Sequence, residues 1–163
     1  MKHEIASKLR ATVQTIEPVL RAISGEDAAV PLKEGGWSRK QVLGHLIDSA
    51  SNNHQRFVRL QQFEHLQLAG YAQDHWVGVQ GYAEADWGNL IDLWSAYNLH
   101  LSNVIRRIKP ETLKNRCELT PGRSATLDYF VDDYLGHLQH HLRQMGVSNE
   151  TTVPYPLPGS PED

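Results

Sequence analysis

The chain has a single cysteine, Cys117, among 163 residues. That excludes an internal disulfide framework and a cysteine-rich zinc module, and it fits a reducing cytoplasm. No uninterrupted apolar run approaches the roughly 20 residues needed to span a bilayer, and Met1-Lys2-His3-Glu4 leads into helix rather than a signal peptide, so no membrane role is expected. Excess charge is also missing. The formal net charge is −3 with both signs scattered, which leaves no basic stripe for a nucleic-acid backbone. Internal repeats and low-complexity tracts are absent. With 40% hydrophobic and 21% charged residues, the composition suits one domain with a real core.

Histidine is what the chain has in quantity. Three of nine fall within Asp132-Asp133-Tyr134-Leu135-Gly136-His137-Leu138-Gln139-His140-His141-Leu142. At about 100° per residue, Leu127, Phe130, Val131, Tyr134, Leu138, Leu142 and Met145 share one apolar arc. His137 and His141 sit on its edge one turn apart, while His140 turns towards the rim. Such an i, i+4 pair can offer two nitrogens to one metal ion, as in helical H-E-x-x-H sites, although the glutamate of that motif is missing here. Histidine pairs four apart also arise by chance, so a third ligand is the deciding question.

In chain order, Ile5, Leu9, Val13, Ile16, Leu20 and Ile23 predict a first helix over about residues 3–24, with Pro18 as a kink or break. Ser38 and Gln41 form a capping-box signature for a second helix running to about Phe63. Beside its apolar arc runs a polar stripe of His45, Ser49, Asn52 and Arg56, which makes His45 the natural third ligand. Residues 66–86 read as a long aromatic-rich connection with Tyr71, His75, Trp76 and Tyr82, either a wall over a site or a plug for one end of the bundle. Leu90 to Ile108 give a third helix, from about Asp86 to Lys109, ended by Pro110. His100 reads as surface, and Cys117, in the loop that follows, as buried or semi-exposed rather than nucleophilic. Thr126 caps the histidine helix. The prediction is an all-α, single-domain four-helix bundle over residues 1–152 and a proline-rich tail over 153–163.

His45, His137 and His141 then form a His₃ set contributed by two helices. Nitrogen donors suit Zn²⁺, Ni²⁺ or Fe²⁺, and three protein ligands leave a position open for water or substrate, as in catalytic sites. Trp37-Ser38-x-x-Gln41-Val42-Leu43-Gly44-His45-Leu46-x-Asp48-Ser49, Asn52, Arg56-Phe57, Gly70-Tyr71-x-x-Asp74-x-Trp76 and His137-x-x-His140-His141 together resemble the DinB/YfiT-like superfamily. The match runs from about Trp37 to Gln144 and is closest to the branch of metal-dependent hydrolases. This resemblance implies a four-helix bundle, often a homodimer, with a divalent metal on His45, His137 and His141. It also implies metal-dependent hydrolase or thiol-dependent transferase chemistry on a small-molecule substrate, with a low-molecular-weight thiol as cofactor in the second case. Asn52 and Arg56 are expected to line the mouth and orient an anionic or carbonyl-bearing substrate. A non-catalytic dimeric bundle that binds metal or ligand is the alternative. Since no carboxylate adjoins the histidine pair in the H-E-x-x-H manner, and Asp133 reads only as an acceptor that orients His137, the sequence leans towards thiol transfer, where coordination itself makes the nucleophile.

Overall fold

The Ser38 hydroxyl accepts from the Gln41 amide at 3.4 Å, and the Gln41 side chain accepts from the Ser38 amide at 3.0 Å. This reciprocal cap starts the helix that carries His45. In the computed structural model, which describes residues 2–157, four long helices dominate: α1 (Lys2–Arg21), α3 (Arg39–Arg59), α5 (Trp87–Arg106) and α6 (Leu127–Gln144). Two short ones, α2 (Gly25–Ala29) and α4 (Gln73–Val79), lie in the connections. α1 packs chiefly on α5, α5 on α3, α3 on α6, and α6 back on α1. The two consecutive long helices α1 and α3 are therefore set across the bundle from each other, while α3 and α6 become neighbours.

Three departures from the sequence reading have physical causes. Pro18 lies inside α1 without ending it; α1 is held on both sides of that turn by Ile16 and Leu20, both buried in the core. The connections also contain a small three-stranded sheet, β1 (His65–Gln67), β2 (Arg116–Thr120) and β3 (Arg123–Thr126), so the fold is helical with a sheet rather than purely α. β1 pairs parallel to β2, and β2 antiparallel to β3. These strands span three to five residues, too few for a period-2 pattern to stand out. Gly25 to Asp27, just past the end expected of the first helix, begin α2, with the Ser24 hydroxyl accepting from the Asp27 amide.

The aromatic connection between α3 and α5 divides into the two roles the sequence left open. Tyr82 is buried against Gly44 of α3, and its hydroxyl donates to Asp48 Oδ1 at 2.7 Å, which also accepts from Gln80 Nε2 at 2.8 Å. Burial raises the Asp48 carboxyl above its ordinary range. Tyr71 instead stacks on Trp76 with ring centroids 5.0 Å apart and faces the cavity described below. The proline-rich tail packs on α6 as far as Leu157, with Val153 buried; Pro158 and Pro161 lie outside the described residues. No helix among the described residues is long and apolar enough to cross a membrane.

A Cβ at Gly44 would sit inside the Tyr82 ring, whereas one at Gly78 meets open space. Gly44→Ala should therefore destabilise the fold by about 1–3 kcal/mol through overpacking. Gly78→Ala, in α4, should be stabilising by up to about 1 kcal/mol through helix propensity. Urea midpoints of the two variants against the parent check both signs.

Candidate metal centre

Thr126 caps α6 by accepting from the Tyr129 amide at 3.1 Å, and the helix then delivers its histidines against α3. His45 Nε2 lies 3.1 Å from His137 Nε2. The ring centroids of His45, His137 and His141 are 4.5–5.0 Å from one another, and one nitrogen of each lies within 4.8 Å of the others. His140 is exposed and its ring packs on Tyr155 and His141 rather than into this group. His100 is exposed on α5, beside His54 and away from the three.

The protonation of this cluster follows from where it sits. Burial is the largest cause in each case, and neighbouring imidazoles add to it. His45 is pushed down to about 3, His141 to about 4, and His137 well below the ordinary imidazole value. All three are neutral at pH 7. His141 Nδ1 meets Gln144 Oε1 at 2.7 Å; since a carbonyl oxygen only accepts, Nδ1 carries the proton and Nε2 keeps its lone pair. His137 Nδ1 meets Ser49 Oγ at 3.3 Å. The hydroxyl on α3 is thus placed to orient His137, the role that the sequence reading gave to Asp133.

The residues present fit a divalent ion. Two imidazole nitrogens 3.1 Å apart need a proton or a cation between them: the N–H of one neutral ring can fill that place, or a divalent ion that takes a lone pair from each. The spacing is close to the ~3.3 Å that two ligand nitrogens would adopt at ~2.05 Å from a common tetrahedral ion. His45 Nδ1 is also buried with no hydrogen-bond partner among the described residues, so this imidazole depends on what its other nitrogen binds. Ser49 and Gln144 hold the remaining two rings from behind, as the outer partners of metal ligands do.

A cavity of about 450 Å³ opens beside the cluster, lined by His45, Ser49, Asn53, Arg56, Gly70, Tyr71, Gln73, Leu119, Thr120, Asp133, Tyr134, His137, Tyr155 and Pro156. Arg56 is there, buried, its guanidinium over the Phe130 ring at 4.9 Å and donating to Asn53 Oδ1. Asn52 is not among the lining residues: its side chain donates to the Asp48 carbonyl at 2.9 Å, and Asn53 stands in the wall in its place. Sequence reasoning missed Asn53, Leu119, Thr120, Tyr155 and Pro156, and it gave Asp133 no place in the wall. Asp133 was legible as a residue one turn before His137, but its place in the same cavity wall as Arg56 was not. Cys117 is fully buried and absent from the wall, and burial pushes its thiol up.

Metal analysis of protein purified without an affinity tag should find His45→Ala, His137→Ala and His141→Ala each devoid of stoichiometric metal. His140→Ala and His100→Ala should retain it. Ser49→Ala should weaken affinity by about 10–100-fold, the usual effect of losing an outer partner.

Comparison with known proteins agrees with this fold. The chain is 23% identical over 153 residues, 89% of its own length and 82% of the relative's, to the Bacillus subtilis (strain 168) protein named "Putative metal-dependent hydrolase YfiT". A solved structure of YfiT from Bacillus subtilis, described as having "an unusual four-helix bundle topology", superposes with a TM-score of 0.71 at 20% identity, covering 90% of this chain and 89% of that one. The model of the DinB superfamily matches residues 8–145. With the family's pattern running through all four long helices, this chain belongs to the DinB superfamily.

Proposed function

We propose that the protein is a divalent-metal-dependent hydrolase of a small carbonyl compound, with the ion on His45, His137 and His141 and Asp133 as general base. What carries this reading is the composition of the cavity wall: it contains one carboxylate, Asp133, in the same 450 Å³ space as His45 and His137. The expectation of thiol transfer rested on the lack of a base near the histidines, and that argument falls once Asp133 is in the wall.

A bound divalent ion supplies Lewis acidity, polarising a carbonyl and making a water more acidic. The chain's own residues would do the rest. Gln144 fixes the tautomer and orientation of His141, and Ser49 orients the His137 ring. Asp133 takes the proton from water as its oxygen bonds to the carbonyl carbon, then passes that proton to the leaving oxygen or nitrogen as the acyl bond breaks. Arg56, held against Phe130 and Asn53, orients the carbonyl-bearing or anionic end of the substrate. Tyr71 and Tyr155 wall the space from two different connections. Association with a second copy belongs to the same proposal and follows from the family's habit.

Two measurements test it. With Zn²⁺ or Co²⁺ loaded and 4-nitrophenyl acetate as substrate, Asp133→Asn should lose about 10²–10⁴-fold in kcat while keeping its metal. Full activity in that variant, or saturable sulfur-to-Co²⁺ charge-transfer absorption on adding thiols with no hydrolysis of esters, sinks the hydrolase reading. The second concerns pH. Each imidazole has a folded-state pKa below its unfolded value near 6.5, so the unfolded chain binds more protons between the two. Stability is then fully present above about pH 6.5 and is lost as pH falls towards the folded values of about 3 to 4. Metal binding needs the same neutral rings, so a chelator should lower the melting temperature far more at pH 8 than at pH 5. Equal chelator effects at both pH values would rule out histidine ligation.

A further inference from the structure

The segment after α6 turns back at Gly146 (φ 74°) and runs antiparallel along that helix as a strap. Arg143 donates to the Glu150 carbonyl at 2.7 Å, and Glu150 accepts from Thr12 of α1 at 3.2 Å. One turn earlier, Gln139, fully buried, exchanges two bonds with Thr152: the Thr152 amide donates to Gln139 Oε1 at 2.8 Å, and Gln139 Nε2 donates to Thr152 Oγ1 at 3.1 Å. Opposite Pro154 stands Gly136, where a Cβ would lie 2.9 Å from the Pro154 carbonyl oxygen and 3.4 Å from Val153. The Tyr129 hydroxyl then reaches the Leu157 carbonyl at 3.4 Å. A glycine groove and a buried glutamine on the helix thus specify the strap's path, which a fraying tail would not need.

That path ends in the cavity. Tyr155 sets its ring edge-on to His137, centroids 5.2 Å apart, and tilted on His140 at 5.1 Å, and Tyr155 and Pro156 both line the 450 Å³ space. The strap lies past residues 8–145, the part matched by the family model. We propose that the strap is the specificity wall of the cavity and that the Tyr155 ring sets the largest acyl group admitted beside His137. The proposal rests on the metal reading for the identity of the substrate, but not for the strap's position. Compact acyl groups pass; extended aromatic ones meet the ring.

The test uses Zn²⁺-loaded full-length protein and two hydroxamates, acetohydroxamate and 2-naphthohydroxamate, with Kd measured by calorimetry. Tyr155→Ala should shift the preference by about tenfold or more towards the naphthyl probe, the scale expected when a wall residue is cut away. Metal content should be unchanged, and Tyr155→Phe, which keeps the ring, should keep the parent's preference between the two probes. Tyr155→Val serves if the alanine variant does not fold. Equal changes for both probes, or none, overturn the proposal, because a merely structural role would weaken both alike. If neither probe binds the parent protein, the metal reading fails, and the strap is judged on metal-free protein by diethyl pyrocarbonate. His137 should then be acylated several-fold faster in Tyr155→Ala, and an unchanged rate overturns the wall.

Discussion

Three neutral imidazoles can share one small buried volume only if the two helices that carry them are held in fixed register, and much of the fold serves that condition. α3 contributes His45 and the Ser49 hydroxyl that meets His137; α6 contributes His137, His141 and the Gln144 that meets His141. Slippage of one turn, about 5.4 Å, would separate nitrogens that now lie 3.1 Å apart. The register is pinned from outside the site. Lys2 of α1 pairs with Asp128 and Asp132 at the start of α6, and Tyr134 of α6 donates to Asn98 of α5 in the core. Asn115, just before β2, donates to the Leu60 carbonyl at the end of α3. Each exposed ion pair adds little by itself; the buried bonds fix geometry because an unmade partner there is costly.

What the histidine wheel revealed, and what it could not, has a simple geometric basis. His45, His137 and His141 are spaced by helical periodicity and face a core, so sequence alone brings them to one side of their helices. The same wheel chose Asn52 over Asn53. It assumes a wall parallel to the helix axis, whereas the cavity runs obliquely across α3 through His45, Ser49, Asn53 and Arg56, and side chains lean towards the helix N-terminus. The capping box at Ser38 and the cap at Thr126 were legible because they depend on near neighbours. Tyr155, Leu119 and Thr120 were not. They reach the wall through a strap and a three-stranded sheet whose pairing depends on partners tens of residues away, and no local pattern encodes that.

Among the described residues, His45 Nδ1 and Asp48 Oδ2 are buried without a hydrogen-bond partner, and they lie one turn apart on α3. They mark neighbouring strips on one side of that helix. On one strip an imidazole nitrogen has no partner; on the next a carboxylate, raised by burial, fastens the connection that carries Tyr82. Two of the three such atoms thus belong to the helix that joins the histidine cluster to the wall above it, the third being Trp94 Nε1 on α5. Such concentration is expected where a fold gives up some local stability for a functional arrangement.

The wall's last element carries a consequence for biogenesis. His45 and Tyr155 are 110 residues apart, 155 less 45, and the cavity needs both. Synthesis proceeds at roughly 5–20 residues per second, so a nascent chain contains the first histidine of the cluster about 5–20 s before the strap residue has been made. During that interval α3 lacks both the helix that completes its cluster and the ring that closes its cavity. Assembly of the cluster and its wall is therefore a late event in the life of each molecule, and a half-made chain has no finished pocket.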